Sequence, residues 1–211
     1  MTIIVVAGTG TDVGKTFVTA ALARALRGRG FSVVARKPVL SYAPGDASTD
    51  AEVLAAATTE DPNAVCPRHR RLALAMAPPM AAQALDAPPF TIADLVAETL
   101  ATVPAGALAL VETAGGVRSP LAADGDSGAL VDALQPALVV LVADAGLGTI
   151  NLVRMSLDAV RGHDVCTMLN RYDASDDLHR RNAEWLRDET KADVVTSVDA
   201  LARRVELAAS R

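Results

Sequence analysis

The chain has 211 residues, is 51% hydrophobic and 21% charged, and carries a formal net charge of −5. That length suits one α/β domain spanning residues 1–211, which buries about 70% of its unfolded surface and needs neither disulfides nor a structural metal. The acidic balance excludes a basic nucleic-acid footprint, and the most apolar stretch, residues 137–143, is far too short to span a bilayer, so neither nucleic acid nor membrane is expected as a partner.

The N-terminus runs straight into the apolar Ile3–Gly8, read as a buried strand with no basic leader before it. Lys15–Arg29 is expected as a helix ending at Gly30, and Ser32–Val39 as a second strand closed by Pro38. Asp50–Thr58 reads as a short helix. Residues 59–90 hold most of the proline and little periodicity, and are expected as loop with a short helix near Met80–Leu85. Within it Arg68-His69-Arg70-Arg71 reads as a solvated basic patch. Thr91–Thr102 is a predicted helix with Thr91 and Asp94 placed as a capping box. Ala107–Glu112 is a strand, followed by a long loop through Gly115-Gly116 to Asp126. Helices at Ser127–Leu134, Ile150–Arg161, Ser175–Thr190 and Ala200–Ala209 then alternate with strands at Ala137–Asp144, Val165–Asn170 and Val194–Thr196. The alternation predicts an α/β fold, a mostly parallel sheet with helices on both faces, and the glycine-rich segment from Gly8 to Thr16 between the first strand and helix makes it P-loop NTPase-like. Cys66 and Cys166 are far apart and read as reduced thiols, consistent with an expected cytoplasmic location.

The segment Gly8-Thr9-Gly10-Thr11-Asp12-Val13-Gly14-Lys15-Thr16 joins an apolar strand to an alanine-rich helix. The strict phosphate-loop pattern wants glycine where Thr9 stands, with Gly8 one place early. The strand–loop–helix context still aims the backbone N–H groups of residues 10–16 at an anion. Lys15 then reaches the β- and γ-phosphates of a nucleoside triphosphate, and the Thr16 hydroxyl ligates Mg²⁺. The chain has 17 arginines and only three lysines, Lys15, Lys37 and Lys191, so each lysine invites a chemical reason.

The longer spacing Gly-Thr-x-Thr-x-Val-Gly-Lys-Thr resembles dethiobiotin synthetase, a small P-loop ligase. Five further landmarks run in that family's order. Lys37-Pro38-Val39 with Ser41 resembles its Lys-Pro-Val and following Ser or Thr. Asp50 opens the next helix as the family's aspartate does. Glu112-Thr113-Ala114-Gly115-Gly116 resembles Glu-Gly-Ala-Gly-Gly, with Thr113 in place of glycine. Leu147-Gly148-Thr149-Ile150-Asn151 resembles Leu-Gly-x-x-Asn, and Asn170 resembles the adenine-binding asparagine. Two departures are visible. Met80 stands where many members place a histidine, and the proline-containing adenine loop is absent near Val195.

The resemblance implies an ATP- and Mg²⁺-dependent enzyme that joins CO₂ to 7,8-diaminononanoate and closes a cyclic urea. It implies Lys15, Lys37 and Thr11 as the catalytic groups, with the two lysines neutralising the γ-phosphate and a carbamate. It implies Gly10, Thr11, Asp12, Val13, Gly14, Lys15, Thr16 and Asn170 around ATP. Thr16, Asp50 and Glu112 would hold the metal. Ser41, Gly115, Gly116 and Asn151 would meet the substrate, Asn151 across a homodimer interface. Asp12 either accepts a bond from the diamine or caps the helix. Partitioning ATPases are the main alternative, but they carry a signature lysine where this chain has Gly10, and Ala200–Ala209 lacks their basic amphipathic character. Cobyrinate amidating synthases need an attached glutamine-hydrolysing domain, for which 211 residues leave no room.

Overall fold

The computed structural model describes residues 1–210. Six strands form one parallel sheet: β1 (Thr2–Gly8), β2 (Val33–Arg36), β5 (Leu108–Glu112), β8 (Leu138–Asp144), β9 (Val165–Asn170) and β10 (Asp193–Val195), in the order β10-β9-β8-β1-β5-β2. The central strands are continuous apolar runs because both of their faces are covered. Successive side chains alternate between the two faces. Ile4 and Val6 join a core with helices α1 (Lys15–Gly28), α2 (Asp50–Thr58) and α9 (Val198–Ala209). Val5 and Ala7 join the opposite core with α4 (Pro78–Ala84), α5 (Ile92–Ala101), α6 (Ser127–Leu134), α7 (Thr149–Ala159) and α8 (Asp177–Thr190). This is the expected α/β, P-loop NTPase-like architecture. No helix among the described residues is long and apolar enough to cross a membrane.

The sheet positions the site by its carboxyl edge, where crossover loops leave the strands. The phosphate loop leaves β1, Lys37 follows β2, Glu112 ends β5, Asp144 ends β8 and Asn170 ends β9.

The structure departs from expectation in the connecting segments. The second strand ends at Arg36, not Val39, because the Lys37 N–H leaves the sheet and donates to the Val65 carbonyl at 2.8 Å. Pro38 could not have continued the ladder in any case. Residues 59–90 contain more structure than their composition suggests: α3 (Pro62–Val65), a 3₁₀ turn at Arg68–Arg70, and β4 (Arg71–Leu72), which pairs in parallel with β3 (Leu40–Ser41) outside this segment. The basic patch is not uniformly solvated. Arg70 is buried, forks onto Glu98 at 2.7 and 2.9 Å and lies over the Phe90 ring, while Arg71 donates to the Cys66 carbonyl. The loop before α6 folds into a small antiparallel pair, β6 (Pro120–Ala122) with β7 (Gly125–Asp126). The Thr91–Asp94 capping box forms as expected, and a second, Thr49–Glu52, opens α2.

Candidate functional site

A cavity of about 810 Å³ lies along the carboxyl edge, walled by Thr11, Asp12, Lys15, Thr16, Lys37 and Asp50 among others. Its floor is set by glycine geometry. Gly14 caps α1 at φ 92°, a left-handed conformation that disfavours a side chain, and a Cβ there would meet the Asn170 amide nitrogen at 2.1 Å. Gly14 therefore occupies the cap position, which removes the capping alternative for Asp12. The Asp12 side chain is exposed at the cavity wall on a residue with φ 59°.

Lys15 folds back over its own loop and donates to the Gly10 carbonyl at 2.8 Å. Burial, and next the neighbouring charge of Lys37, lower its pKa from 10.5 to about 8. The sign of the consequence follows. Between about pH 8 and 10.5 the ligand-free fold binds fewer protons at Lys15 than the unfolded chain, so this group's contribution to stability rises with pH through that window. An anion beside Lys15 pulls the pKa back up. Binding of a polyphosphate nucleotide at pH 8.5 is therefore expected to take up protons, approaching about one per site. Calorimetry in two buffers of different ionisation enthalpy checks this, and proton release or no exchange would contradict it.

Behind Lys15 lies a buried charge cluster assembled from three distant parts of the chain. Lys37 Nζ donates to Glu112 Oε1 at 2.7 Å and to the Thr113 carbonyl at 3.2 Å, and pairs with Asp50 Oδ2 at 2.8 Å. Lys37 is 2% exposed and Glu112 0%. Burial pulls the Lys37 ammonium toward neutrality, but the two carboxylates outweigh it and hold its pKa well above the ordinary lysine value. Burial likewise pushes Asp50 up, and the Lys37 charge together with its hydrogen bonds brings it below the ordinary value. Asp50 is free for this role because Thr49 caps α2 in its place.

The residues fit a hard divalent cation. Thr16 Oγ1 lies 2.8 Å from Asp50 Oδ1 and 2.9 Å from Glu112 Oε1. One hydroxyl proton cannot serve both acceptors. Three oxygens drawn this close, two from carboxylates and one from a hydroxyl, are the hard donors that such a cation would accept. Glu112 Oε2 is buried with no hydrogen-bond partner among the described residues. No group of three or more His, Cys, Asp and Glu converges among the described residues. Two carboxylates and a hydroxyl are what Mg²⁺ accepts when waters and phosphates complete its shell.

The remaining expected residues divide. Ser41 lies on the cavity wall with its Oγ buried and unpartnered. Gly115 lines the cavity at φ 65°, but the Gly116 N–H is engaged by Ser119 Oγ at 2.8 Å and Gly116 lies outside the lining. Val13 faces the core, and its carbonyl accepts from Asn170 Nδ2 at 3.0 Å. Asn170 lines a second cavity of about 590 Å³ with Phe17, Tyr172, Thr196 and Ser197. Asn151 is not brought to either cavity within this chain. It sits on the exposed face of α7 with the exposed Met155 one turn on, the exposed Leu147 lies in the loop before the helix, and Gly148 rather than Asn151 caps that helix. Sequence reasoning missed several wall residues, Ser119 and Arg171 among them. Arg171 follows Asn170 directly at the end of a strand, which was the available signal; Ser119 had none.

The family model described as an AAA domain matches residues 2–203. An ATP-dependent dethiobiotin synthetase from Methylobacterium nodulans is 40% identical over 178 residues, covering 78% of this chain and 77% of that protein. Another from Rhodococcus jostii is 38% identical over 209 residues, covering 95% of this chain and 87% of that one. One from Haloferax mediterranei is 36% identical over 197 residues, 90% and 81% of the two chains. Among solved structures, chloroplast FtsY from Physcomitrella patens matches with a TM-score of 0.56 at 17% identity, over 94% of this chain and 60% of its own. That likeness shows the fold alone.

Proposed function

The chain belongs to the ATP-dependent dethiobiotin synthetase family, and on that premise we propose that it carboxylates 7,8-diaminononanoate and closes it to a cyclic urea, converting ATP to ADP and phosphate. We take residues 1–211 as one catalytic unit working in the cytoplasm. The observation that carries the reading is the buried meeting of Lys37, Asp50, Glu112 and Thr16 beside a phosphate loop. A surface turn that merely resembled a phosphate loop would not have a buried carboxylate, Glu112, and a buried ammonium, Lys37, behind it, with half-buried Asp50 closing the cluster.

In this reading one amine of the substrate captures CO₂ as a carbamate. A carbamate oxygen attacks the γ-phosphorus and ADP leaves. The second amine then attacks the carbamoyl carbon, the ring closes and phosphate departs. Lys15 lies over the loop and would neutralise the β- and γ-phosphates, with the N–H groups of residues 10–16 around them and Thr11 at the γ-phosphate. Lys37 would face the carbamate as charge builds between it and the γ-phosphate; a compact ammonium suits two converging oxyanions better than a planar guanidinium. Thr16, Asp50 and Glu112 would hold Mg²⁺, which when bound draws charge from the phosphate oxygens. Ser41 and Gly115, with Gly116 behind it, would meet the substrate, and Asn170 the nucleobase. ATP turnover is expected only when diamine and bicarbonate are both present. Equal turnover without them would favour a nucleotide switch instead.

We further propose a homodimer in which Asn151 reaches the partner subunit's substrate. Support comes from Met155, 63% exposed one turn beyond Asn151 on the same helix, and from Leu147, 92% exposed in the loop that leads into it. Sedimentation at micromolar concentration is expected to give twice the 21.8 kDa chain mass. A monomer mass would contradict the shared site.

A further inference from the structure

Two cavities meet at the phosphate loop, one reaching Lys15 and Lys37 and the other Asn170 and Phe17. Only two residues line both, Gly14 and Arg171, and Gly14 has no side chain. A nucleotide with its triphosphate in the first cavity and its base in the second must pass beneath this one guanidinium.

Arg171 is held at that seam on purpose-built geometry. Its backbone is left-handed, φ 57°, a conformation that disfavours a side chain bearing Cβ and persists only where its surroundings fix it. Nη2 donates to the Asp12 carbonyl at 2.8 Å, and Asp12 is itself left-handed at φ 59°. Nη1 donates to Asp144 Oδ2 at 2.8 Å, and Asp144 is anchored in turn by the Gly146 N–H at 2.9 Å. A guanidinium has five N–H donors, so these two bonds leave three. The side chain is 58% exposed, and those three donors have no protein acceptor among the described residues. The strap orients a planar cation whose free edge meets the two cavities, and planar guanidinium recognises phosphate oxygens by paired N–H bonds.

We propose that Arg171 binds the part of the nucleotide that spans the seam, its α-phosphate and ribose, and so acts on affinity for the nucleotide rather than on transfer of the γ-phosphate. The inference rests on the nucleotide occupying the phosphate loop, as proposed above. Since ATP, ADP and AMP share the α-phosphate, Arg171→Ala is expected to weaken all three about tenfold or more. Arg171→Lys should keep part of the affinity, and turnover at saturating ATP should stay within about threefold of wild type.

Calorimetric titration of the full chain with ATP, ADP and AMP tests this, with Lys15→Ala and Asp144→Asn measured beside it. Asp144→Asn loosens the strap but keeps the guanidinium, and is expected to weaken binding less than Arg171→Ala does. Wild-type affinity for ADP and AMP in Arg171→Ala overturns the proposal. So does a loss confined to ATP, which would move the contact to the γ-phosphate. A loss in Asp144→Asn as large as in Arg171→Ala also overturns it, by making the role purely structural. If Lys15→Ala binds ATP as wild type does, the nucleotide site itself is wrong; if only Lys15→Ala fails, the site stands and the assignment of Arg171 falls alone.

Discussion

Lys37→Ala is expected to bind ATP within a few-fold of wild type and to turn over roughly a hundredfold more slowly, the effect of removing one preorganised charge from a transition state. Lys37 Nζ sits 2.7 Å from Glu112 Oε1 and 2.8 Å from Asp50 Oδ2, and its pKa is held above the ordinary value. It is therefore a fixed positive charge over the whole working range of pH. Bound ATP already has Lys15 and the loop amides. The charge that has no other partner is the one that grows between carbamate and γ-phosphate, and that is where we propose Lys37 acts. Lys37→Arg is expected to restore little, since a fork is too broad for two crowded anions. Removing Lys37 also strips Glu112 of its cation, so the melting temperature must be followed alongside. Lys37→Met/Glu112→Gln, which discharges both partners, separates lost stability from lost chemistry. Wild-type turnover in Lys37→Ala, with diamine and bicarbonate present, would remove the ligase assignment and leave the nucleotide site standing.

Glu112→Gln is expected to abolish most Mg²⁺-dependent turnover, by about a hundredfold or more, while keeping the fold. Glu112 is 0% exposed, touches Thr16 Oγ1 at 2.9 Å and leaves Oε2 unpartnered. An amide preserves the shape and removes the charge, so the proposed metal site would lose one of its two carboxylates. The folded state loses less than the roughly 3–5 kcal/mol typical of a broken buried pair, because Asp50 still faces Lys37. A loss near 2 kcal/mol in urea unfolding is the expected order. Mn²⁺ titration of the nucleotide complex, followed by electron paramagnetic resonance, reads the metal separately from catalysis. Unchanged Mn²⁺ affinity in Glu112→Gln would place the metal elsewhere.

How much of this was legible in the sequence varies with distance along the chain. β1 and α1 were readable almost to the residue, because a continuous apolar run, a glycine-rich turn and an alanine-rich helix are local signals. The Thr91–Asp94 box was readable for the same reason. The pairing of β3 with β4 was not, since two-residue strands 31 positions apart leave no periodicity, and their register is set by tertiary contacts. Arg70 looked like solvated charge because its partners, Glu98 and Phe90, lie 28 and 20 positions away. The same limit applies within the site. Nothing local says that Lys37 meets Glu112 across 75 positions, or Thr16 across 96; only the resemblance suggested that these residues belong together. Arg171 was overlooked although it follows Asn170 directly at the strand end, because its meaning comes from the two cavities that it lines together.

The most direct measurement follows the carbon itself. With [¹³C]bicarbonate, 7,8-diaminononanoate, Mg²⁺ and ATP, carbon NMR should show label in a cyclic urea carbonyl, with ADP and phosphate formed in equal amounts to it. Phosphate released without labelled urea, or at the same rate when the diamine is omitted, would contradict the proposed ligase.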